Sequence, residues 1–130
     1  MEFRQSILLV DNELRTVDLL RIILEGEGFI VHTAYSGEAA LGRVRGIKYA
    51  VAILDYALPD MKGDYLAERI RAENPETGII MLTGFKHAID SANLSKFTYV
   101  FDKPVNPQEI LNAIKLMMRV PKQVSKQITS

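Results

Sequence analysis

Residues 50–63 read AVAILDYALPDMKG, and the first five of them are apolar. A run of this length predicts a strand buried inside a sheet, because a buried helix is normally longer. Asp55 ends the run. The stretch therefore predicts a buried strand that carries a carboxylate at its carboxyl end.

Four similar apolar runs lie on either side of this strand, at residues 7–10, 29–34, 79–82 and 98–101. Between the runs, apolar residues recur at spacings of three and four, which is typical of helices that pack one face on a core. This spacing links Leu14, Val17, Leu20 and Leu24, then Leu66 and Ile70, and later Ile110, Ile114 and Met117.

Single residues predict two helix ends. Asn106 before Pro107 suits a helix start, because asparagine caps helices and proline fits the first helical position. Gly28 is expected to end the first helix. The chain thus predicts five strands alternating with five helices. Parallel neighbours need helical crossovers, so the expected fold class is α/β, with a doubly wound parallel sheet covered on both faces.

The composition is that of one globular domain, with 48% hydrophobic residues in a chain of 130. Sixteen basic and sixteen acidic residues cancel, so no net field attracts nucleic acid or an anionic membrane. The chain has no cysteine, which excludes disulfides and zinc–thiolate sites. No apolar run approaches the roughly 20 residues that span a bilayer, and the N-terminal run is too short for a signal peptide. We therefore expect a cytoplasmic protein that binds neither nucleic acid nor membrane.

Polar residues follow four of the predicted strands: residues 11–13 (DNE) after the first, Asp55 after the third, Thr83 after the fourth and Lys103 after the fifth. Ligands of parallel sheets bind outside the carboxyl ends of the strands. Each residue alone has an ordinary explanation, such as a helix cap or a solvated charge. Their occurrence together at one sheet edge predicts a functional site.

These residue types suit magnesium-assisted phosphoryl transfer. Magnesium prefers a few carboxylate oxygens plus water, and Asp11 and Asp55 can provide them. Asp55 is also a plausible nucleophile, since a carboxylate can form an acyl phosphate. Thr83 and Lys103 would then bind the oxygens of the transferred group.

Four motifs, in this order, resemble the receiver domains of bacterial response regulators. ILLVDNE (7–13) resembles the family's first strand with its acidic pair, and AVAILDYALPDMKG (50–63) resembles its phospho-acceptor strand and loop. The strand that presents a hydroxyl resembles IIMLTG (79–84), and the lysine–proline step resembles FDKPV (101–105). The resemblance runs from residue 7 to about residue 118. It implies a flavodoxin-like (βα)5 three-layer sandwich with strand order 2-1-3-4-5.

The resemblance also implies a role for each site residue. Asp55 would be the phospho-acceptor, and the Lys103–Pro104 bond would be cis. Asp11 would hold magnesium through water. The full set of metal ligands would be Asp11, Asn12, Asp55 and the backbone carbonyl of Ala57, with Thr83 and Lys103 as the phosphate-binding residues.

The implied partner is a sensor histidine kinase or a phosphotransfer protein. An output domain or docking partner would bind near the fourth helix, expected within residues 86–97, and near the fifth and last helix; a homodimer is also allowed. The receiver would occupy residues 1–118. Residues 119–130 would form a polar tail or a linker to an output domain absent from this sequence, and a stand-alone regulator and a fragment of a longer protein both remain open.

Position 12 departs from the family pattern, in which a second acidic residue usually ligates magnesium. Asn12 offers a carbonyl oxygen but no charge. Three carboxylates and one lysine would leave two negative charges for a divalent ion to balance, whereas Asp11, Asp55 and Lys103 leave one. We expect magnesium binding to be weaker by about tenfold to a hundredfold, unless Glu13 turns inward instead of only starting the first helix.

Position 100 also departs from the pattern. Three residues before the lysine, the family usually has an aromatic ring whose rotation accompanies movement of the hydroxyl residue toward phosphate. Val100 is small and stiff and cannot act as that ring. Tyr99 or Phe101 could replace it only if the strand were shifted or bulged; otherwise they are ordinary strand aromatics.

Three other hypotheses fit parts of the sequence. A pseudo-receiver that is not phosphorylated, and acts in docking or dimerisation, is favoured by Asn12 and Val100 but not by the intact Asp55. A haloacid-dehalogenase-type phosphotransferase would use Asp11 as nucleophile, but the chain lacks a second carboxylate cluster after Lys103. A nucleotide-binding domain would need glycines after the first strand, and none is present.

Overall fold

The computed structural model describes residues 5–84 and 97–119. The strands are β1 (Ser6–Val10), β2 (Ile30–Ala34), β3 (Val51–Asp55), β4 (Gly78–Thr83) and β5 (Tyr99–Asp102). The helices within the described residues are α1 (Leu14–Gly26), α2 (Gly37–Val44), α3 (Gly63–Glu73) and α4 (Pro107–Arg119). The helix predicted within residues 86–97 lies almost wholly outside this part of the chain.

All five strands are parallel and lie in the order β2-β1-β3-β4-β5. The predicted fold class and strand order are confirmed. Strands β1, β3, β4 and β5 are consecutive in the sheet. Their carboxyl ends therefore lie side by side, although their residues are far apart in the sequence. In the described part of the chain, no helix is both long and apolar enough to cross a membrane.

The core consists of two layers, one on each face of the sheet. Alternate strand residues point to opposite faces, so Leu8 and Leu54 pack with α2 and α3, whereas Leu9 and Ile53 pack with α1 and α4. Both faces of the central strands are therefore buried. This explains why their sequences are continuously apolar instead of alternating.

The two predicted helix ends are confirmed. Asn106 Oδ1 accepts a hydrogen bond from the Gln108 backbone N–H at 3.0 Å, and α4 begins at Pro107. Helix α1 ends at Gly26, and Gly28 follows with a φ of 96°. Glycine adopts this left-handed conformation without steric cost, and the chain can therefore turn directly into β2.

Gly63 lets α3 begin directly against the end of β3. A Cβ atom at this position would lie 2.7 Å from the Asp55 carbonyl oxygen and 2.8 Å from Met81 Sδ. The Gly63 backbone N–H also donates to the Tyr56 carbonyl oxygen at 2.6 Å. The absence of a side chain at Gly63 thus brings the loop after Asp55 close to the strand.

Candidate functional site

The predicted site residues lie at the carboxyl edge of the sheet. Asp11 directly follows β1, Asp55 is the last residue of β3, Thr83 is the last residue of β4, and Lys103 directly follows β5. Asp11, Asp55 and Thr83 are buried, although all three are polar. Buried polar groups are costly unless they are paired, so their placement together points to a functional rather than a packing role.

The Lys103 ammonium joins the acidic residues of this edge. Its Nζ lies 3.0 Å from Asp11 Oδ2 and 3.2 Å from Asp55 Oδ2. Glu13 Oε1 is a third carboxylate oxygen nearby, at 3.9 Å from the same nitrogen. The structure therefore brings two predicted site residues, Asp11 and Asp55, together with Glu13 around the ammonium of a third, Lys103.

The shared cation does not fully compensate for the burial of Asp55. Burial raises the pKa of the Asp55 carboxyl, the nearby charge of Asp11 raises it further, and Lys103 and the Ala57 backbone N–H only partly oppose them. Burial alone would lower the pKa of Lys103, but its contacts with Asp11 and Asp55 outweigh burial and raise it. The site thus holds a fixed positive charge and an excess of negative charge, an arrangement that favours a further cation.

Asp11 is positioned by the backbone around it. Its own N–H donates to the Ala34 carbonyl oxygen at 3.1 Å, which ties it to the end of β2. Its Oδ1 accepts a hydrogen bond from the Glu13 N–H at 2.9 Å. The second oxygen, Oδ2, is buried, lacks a well-directed hydrogen bond and faces Lys103. This oxygen therefore shares the Lys103 ammonium with Asp55 Oδ2.

Asp55 and Ala57 are linked by a hydrogen bond from the Ala57 N–H to Asp55 Oδ1, at 3.2 Å. Ala57 also forms an isolated antiparallel bridge with Lys62, which narrows the loop between β3 and α3. The Ala57 backbone is thus held next to the Asp55 carboxylate. Its role as a metal ligand through the carbonyl oxygen stays a prediction.

Thr83 is connected to the site through the backbone. Its carbonyl oxygen accepts a hydrogen bond from the Lys103 N–H at 2.8 Å, so the hydroxyl residue and the lysine share one rigid frame. The Lys103–Pro104 peptide bond is cis, as the resemblance implied. Binding of phosphoryl oxygens by Thr83 and Lys103 remains a prediction.

Asn12 and Glu13 differ in how they relate to the buried cluster. Asn12 is exposed, whereas Glu13 occupies the N-cap position of α1 and lies next to Lys103. The Thr16 hydroxyl donates a hydrogen bond to Glu13 Oε1 at 2.5 Å. Glu13 therefore both begins the helix, as expected, and extends its carboxylate toward the cluster.

Val100 packs in the layer of α2 and α3, and Tyr99 and Phe101 pack in the opposite layer. The β5 register against β4 is regular from Tyr99 to Asp102. The rings of Tyr99 and Phe101 stack at a centroid distance of 6.1 Å. Without a shift or a bulge, neither ring replaces the aromatic residue expected at position 100, and both are ordinary strand aromatics.

One positioning contact was not predicted from the sequence. Asp60 accepts hydrogen bonds from the backbone N–H groups of Gly37 and Glu38, at 2.8 and 2.9 Å. The Met61 side chain fills the space beside Gly37 that a Cβ atom would occupy. The loop after Asp55 is thereby docked on the start of α2. The only sequence signal was a carboxylate in that loop, because its partner lies in a distant segment.

The residues present fit a magnesium ion. The donors are carboxylate oxygens, which magnesium prefers, and the ion usually keeps several waters instead of a complete protein cage. Within residues 5–84 and 97–119, no three His, Cys, Asp or Glu side chains form a group that could hold a metal ion by themselves. Asp11 and Asp55 would hold the ion, with Glu13 nearby.

Comparisons with known proteins agree with the fold. Residues 7–115 match the family model of the response regulator receiver domain. A CheY-like response regulator receiver domain protein from Methanospirillum hungatei JF-1 is similar in structure, with 28% identity, a TM-score of 0.79 and 98% of each chain covered. The response regulator TrrA from Thermotoga maritima, solved in complex with Mg²⁺-BeF, has 30% identity and a TM-score of 0.79, over 87% of this chain and 98% of its own.

A similar full-length relative is the transcriptional regulatory protein SrrA of Staphylococcus aureus (strain NCTC 8325 / PS 47), with 35% identity over 124 residues. The match covers 88% of this chain and 48% of SrrA, so the chain spans about half the length of the curated relatives it matches. Receiver domains are signalling modules that interact with histidine kinases or phosphotransfer proteins, and phosphorylation of an aspartate is their general mechanism. These matches give the pseudo-receiver hypothesis no support over the phosphorylated receiver. The chain belongs to the response regulator receiver family of two-component signalling.

Proposed function

We propose that Asp55 of this chain accepts a phosphoryl group from a histidine kinase or phosphotransfer protein, with Mg²⁺ as the cofactor. The observation that carries the proposal is the contact of one ammonium, Lys103 Nζ, with both Asp11 and Asp55 at the end of the sheet. A nucleophilic carboxylate, a fixed cation and a second metal-binding carboxylate are the groups that such a transfer needs.

In the transfer, an Asp55 carboxylate oxygen attacks phosphorus, and the bond between phosphorus and the donor's imidazole nitrogen breaks. The imidazole, which carries a proton on its other nitrogen, leaves as the neutral ring, and Asp55 becomes an acyl phosphate. When bound, magnesium neutralises charge on the phosphoryl oxygens. Lys103 adjoins Asp55 and would bind one of those oxygens, and the Thr83 hydroxyl would bind another.

The electrostatics of the site support this role. Asp11 and Asp55 repel each other, and burial strengthens the repulsion, so a magnesium ion relieves an unfavourable arrangement when it binds. The negative charge also attracts the ion before the donor arrives. Asp11 contributes by holding the ion, directly or through water, and not by attacking phosphorus.

Incubation with a small phosphodonor and magnesium tests the proposal. Intact mass should increase by one phosphoryl group, and the modification should be lost in base, as expected for an acyl phosphate. Borohydride reduction followed by peptide mass spectrometry should mark Asp55. Asp55→Asn should abolish the labelling, whereas Glu73→Gln, an exposed carboxylate at the end of α3, should not change it.

Other outcomes would identify the competing hypotheses. Labelling at Asp11 would favour the dehalogenase-type enzyme. No labelling, together with no binding at millimolar magnesium, would favour the pseudo-receiver. Two further proposals concern the full-length protein: residues 119–130 act as a linker, and a partner docks near residues 86–97, which lie almost wholly outside the described part of the chain, and near the last helix, α4. Pull-down with candidate histidine kinases and output domains would test them.

A further inference from the structure

We propose that Glu13 supplies the negative charge that Asn12 lacks, and so acts as the third carboxylate of the magnesium pocket. This inference rests on the proposed magnesium-dependent function of the same site. It assigns a binding role to a residue that is also the N-cap of α1.

The first observation is the position of the Glu13 carboxylate. Its Oε1 lies 3.9 Å from Lys103 Nζ, the atom that also contacts Asp11 and Asp55. All three carboxylates therefore surround one cation. Asn12, in contrast, is exposed and has a neutral side chain.

The second observation is that the surrounding residues fix Glu13 on both sides. Its backbone N–H donates to Asp11 Oδ1 at 2.9 Å, which sets the start of the side chain relative to the buried carboxylate. The Thr16 hydroxyl donates to Oε1 at 2.5 Å, and the same oxygen lies 3.9 Å from Lys103 Nζ. Glu13 is thus directed toward the pocket although its side chain is 60% exposed.

The net charge of the pocket also supports a role for Glu13. Asp11, Asp55 and Lys103 together leave one negative charge, which does not balance a divalent ion. With Glu13 the pocket has two negative charges, equal to those of three carboxylates and a lysine. The family pattern reaches that value through an acidic residue at position 12, and this chain reaches it one residue later.

Glu13 does not need to touch the ion to have this effect. Magnesium keeps several waters in protein sites, and a carboxylate can stabilise it through them. Within residues 5–84 and 97–119, no three His, Cys, Asp or Glu side chains form a group that could hold a metal ion, so Glu13 would act on the ion through water. The exposure of Glu13 limits the effect, because solvent and salt screen charges at the surface.

Calorimetric titration with magnesium alone tests the inference. Glu13→Gln should raise the Kd for Mg²⁺ about three- to tenfold at low ionic strength, and the difference should shrink in high salt. Asp18→Asn is the matched control, since Asp18 is an exposed carboxylate on the same helix that pairs with Arg21; it should change the Kd less than twofold. An equal Kd for Glu13→Gln and Asp18→Asn would overturn the inference.

A second background separates a pocket role from a general effect of charge. Asn12→Asp should tighten magnesium binding, and in that background Glu13→Gln should weaken it less than in the natural chain, because Asp at position 12 supplies the same charge. An unchanged effect of Glu13→Gln in the two backgrounds would show that Glu13 does not replace the missing carboxylate. Thermal unfolding of each variant without metal checks that α1 remains intact.

The failures of the two proposals are distinguishable. If the natural chain binds magnesium and is labelled at Asp55 but Glu13→Gln binds equally well, only the role of Glu13 is wrong. If the natural chain and the Asn12→Asp variant both fail to bind magnesium, the proposed function fails, and the role of Glu13 fails with it.

Discussion

Asp60 accepts a hydrogen bond from the Gly37 backbone N–H at 2.8 Å, so the loop that follows Asp55 caps the helix of a different βα unit. Its other oxygen accepts from the Glu38 N–H at 2.9 Å. A carboxylate at a helix N-terminus also interacts favourably with the helix dipole. The position of the acceptor loop and the start of α2 therefore depend on each other.

Asp60→Asn should lower Tm at neutral pH, because it removes the charge from this cap. The hydrogen bonds from Gly37 and Glu38 hold the pKa of Asp60 below its ordinary value of 3.8. The unfolded state therefore binds more protons just below that value, and the stabilisation is present above it and lost as the pH falls further. Thermal unfolding at neutral and acidic pH should show the difference only at the higher pH. Glu73→Gln is the control; an equal loss of Tm in that variant would contradict the prediction.

Asp55→Asn should stabilise the folded protein at neutral pH. Burial and the charge of Asp11 raise the pKa of Asp55 above its ordinary value of 3.8. The folded state therefore binds more protons than the unfolded state just above that value, and stability is lost as the pH rises through the folded pKa. Urea unfolding should show a higher free energy of unfolding for Asp55→Asn than for the natural chain at neutral pH. The difference should disappear below the ordinary pKa of 3.8. A variant less stable than the natural chain at neutral pH would contradict this argument.

Lys103→Met should destabilise the protein by about 2–3 kcal/mol at neutral pH, less than for a fully buried ion pair because Lys103 is partly exposed. The substitution leaves Asp11 and Asp55 without their shared cation. The pairing raises the pKa of Lys103 above its ordinary value of 10.5, so its stabilisation is fully present at neutral pH and is lost only as the pH rises past that value. Chemical unfolding should also show recovery when Asp55→Asn is added to Lys103→Met, because one of the unpaired charges is removed. If the double variant lost as much stability as Lys103→Met alone, the unpaired charges would not be the cause of the loss.

Two glycine substitutions should have opposite effects on stability. Gly63→Ala should cost about 1–3 kcal/mol, because its Cβ atom would lie 2.7 Å from the Asp55 carbonyl oxygen. Gly42→Ala, in α2, meets nothing within 4 Å and should add about 0.5–1 kcal/mol through helix propensity. Urea unfolding of both variants measures the difference. Gly63→Ala should also slow phosphorylation, since it displaces the backbone of the acceptor residue; an unchanged labelling rate would contradict that part.

Most of the fold could be predicted from local sequence. The apolar run before Asp55 and the spacing of Val17, Leu20 and Leu24 determine strand and helix within a few residues, because backbone periodicity depends on near neighbours. Leu14 has the same spacing but is exposed, so its place on the buried face was wrongly predicted. The strand predicted at residues 50–54 is Val51–Asp55 in the structure, so each end differs from the prediction by one residue and Asp55 belongs to the strand. The strand order came from the family resemblance, since periodicity does not specify which strands are neighbours.

The local sequence pattern places Asp11, Asp55 and Lys103 at strand ends. Only the order of the strands in the sheet brings them into one ion cluster. The packing of the chain also places Asp60 at the start of α2 and brings Glu13 close to Lys103. These contacts depend on which strand ends adjoin and on where side chains point. Such relations join residues far apart in the chain, so no local pattern contains them.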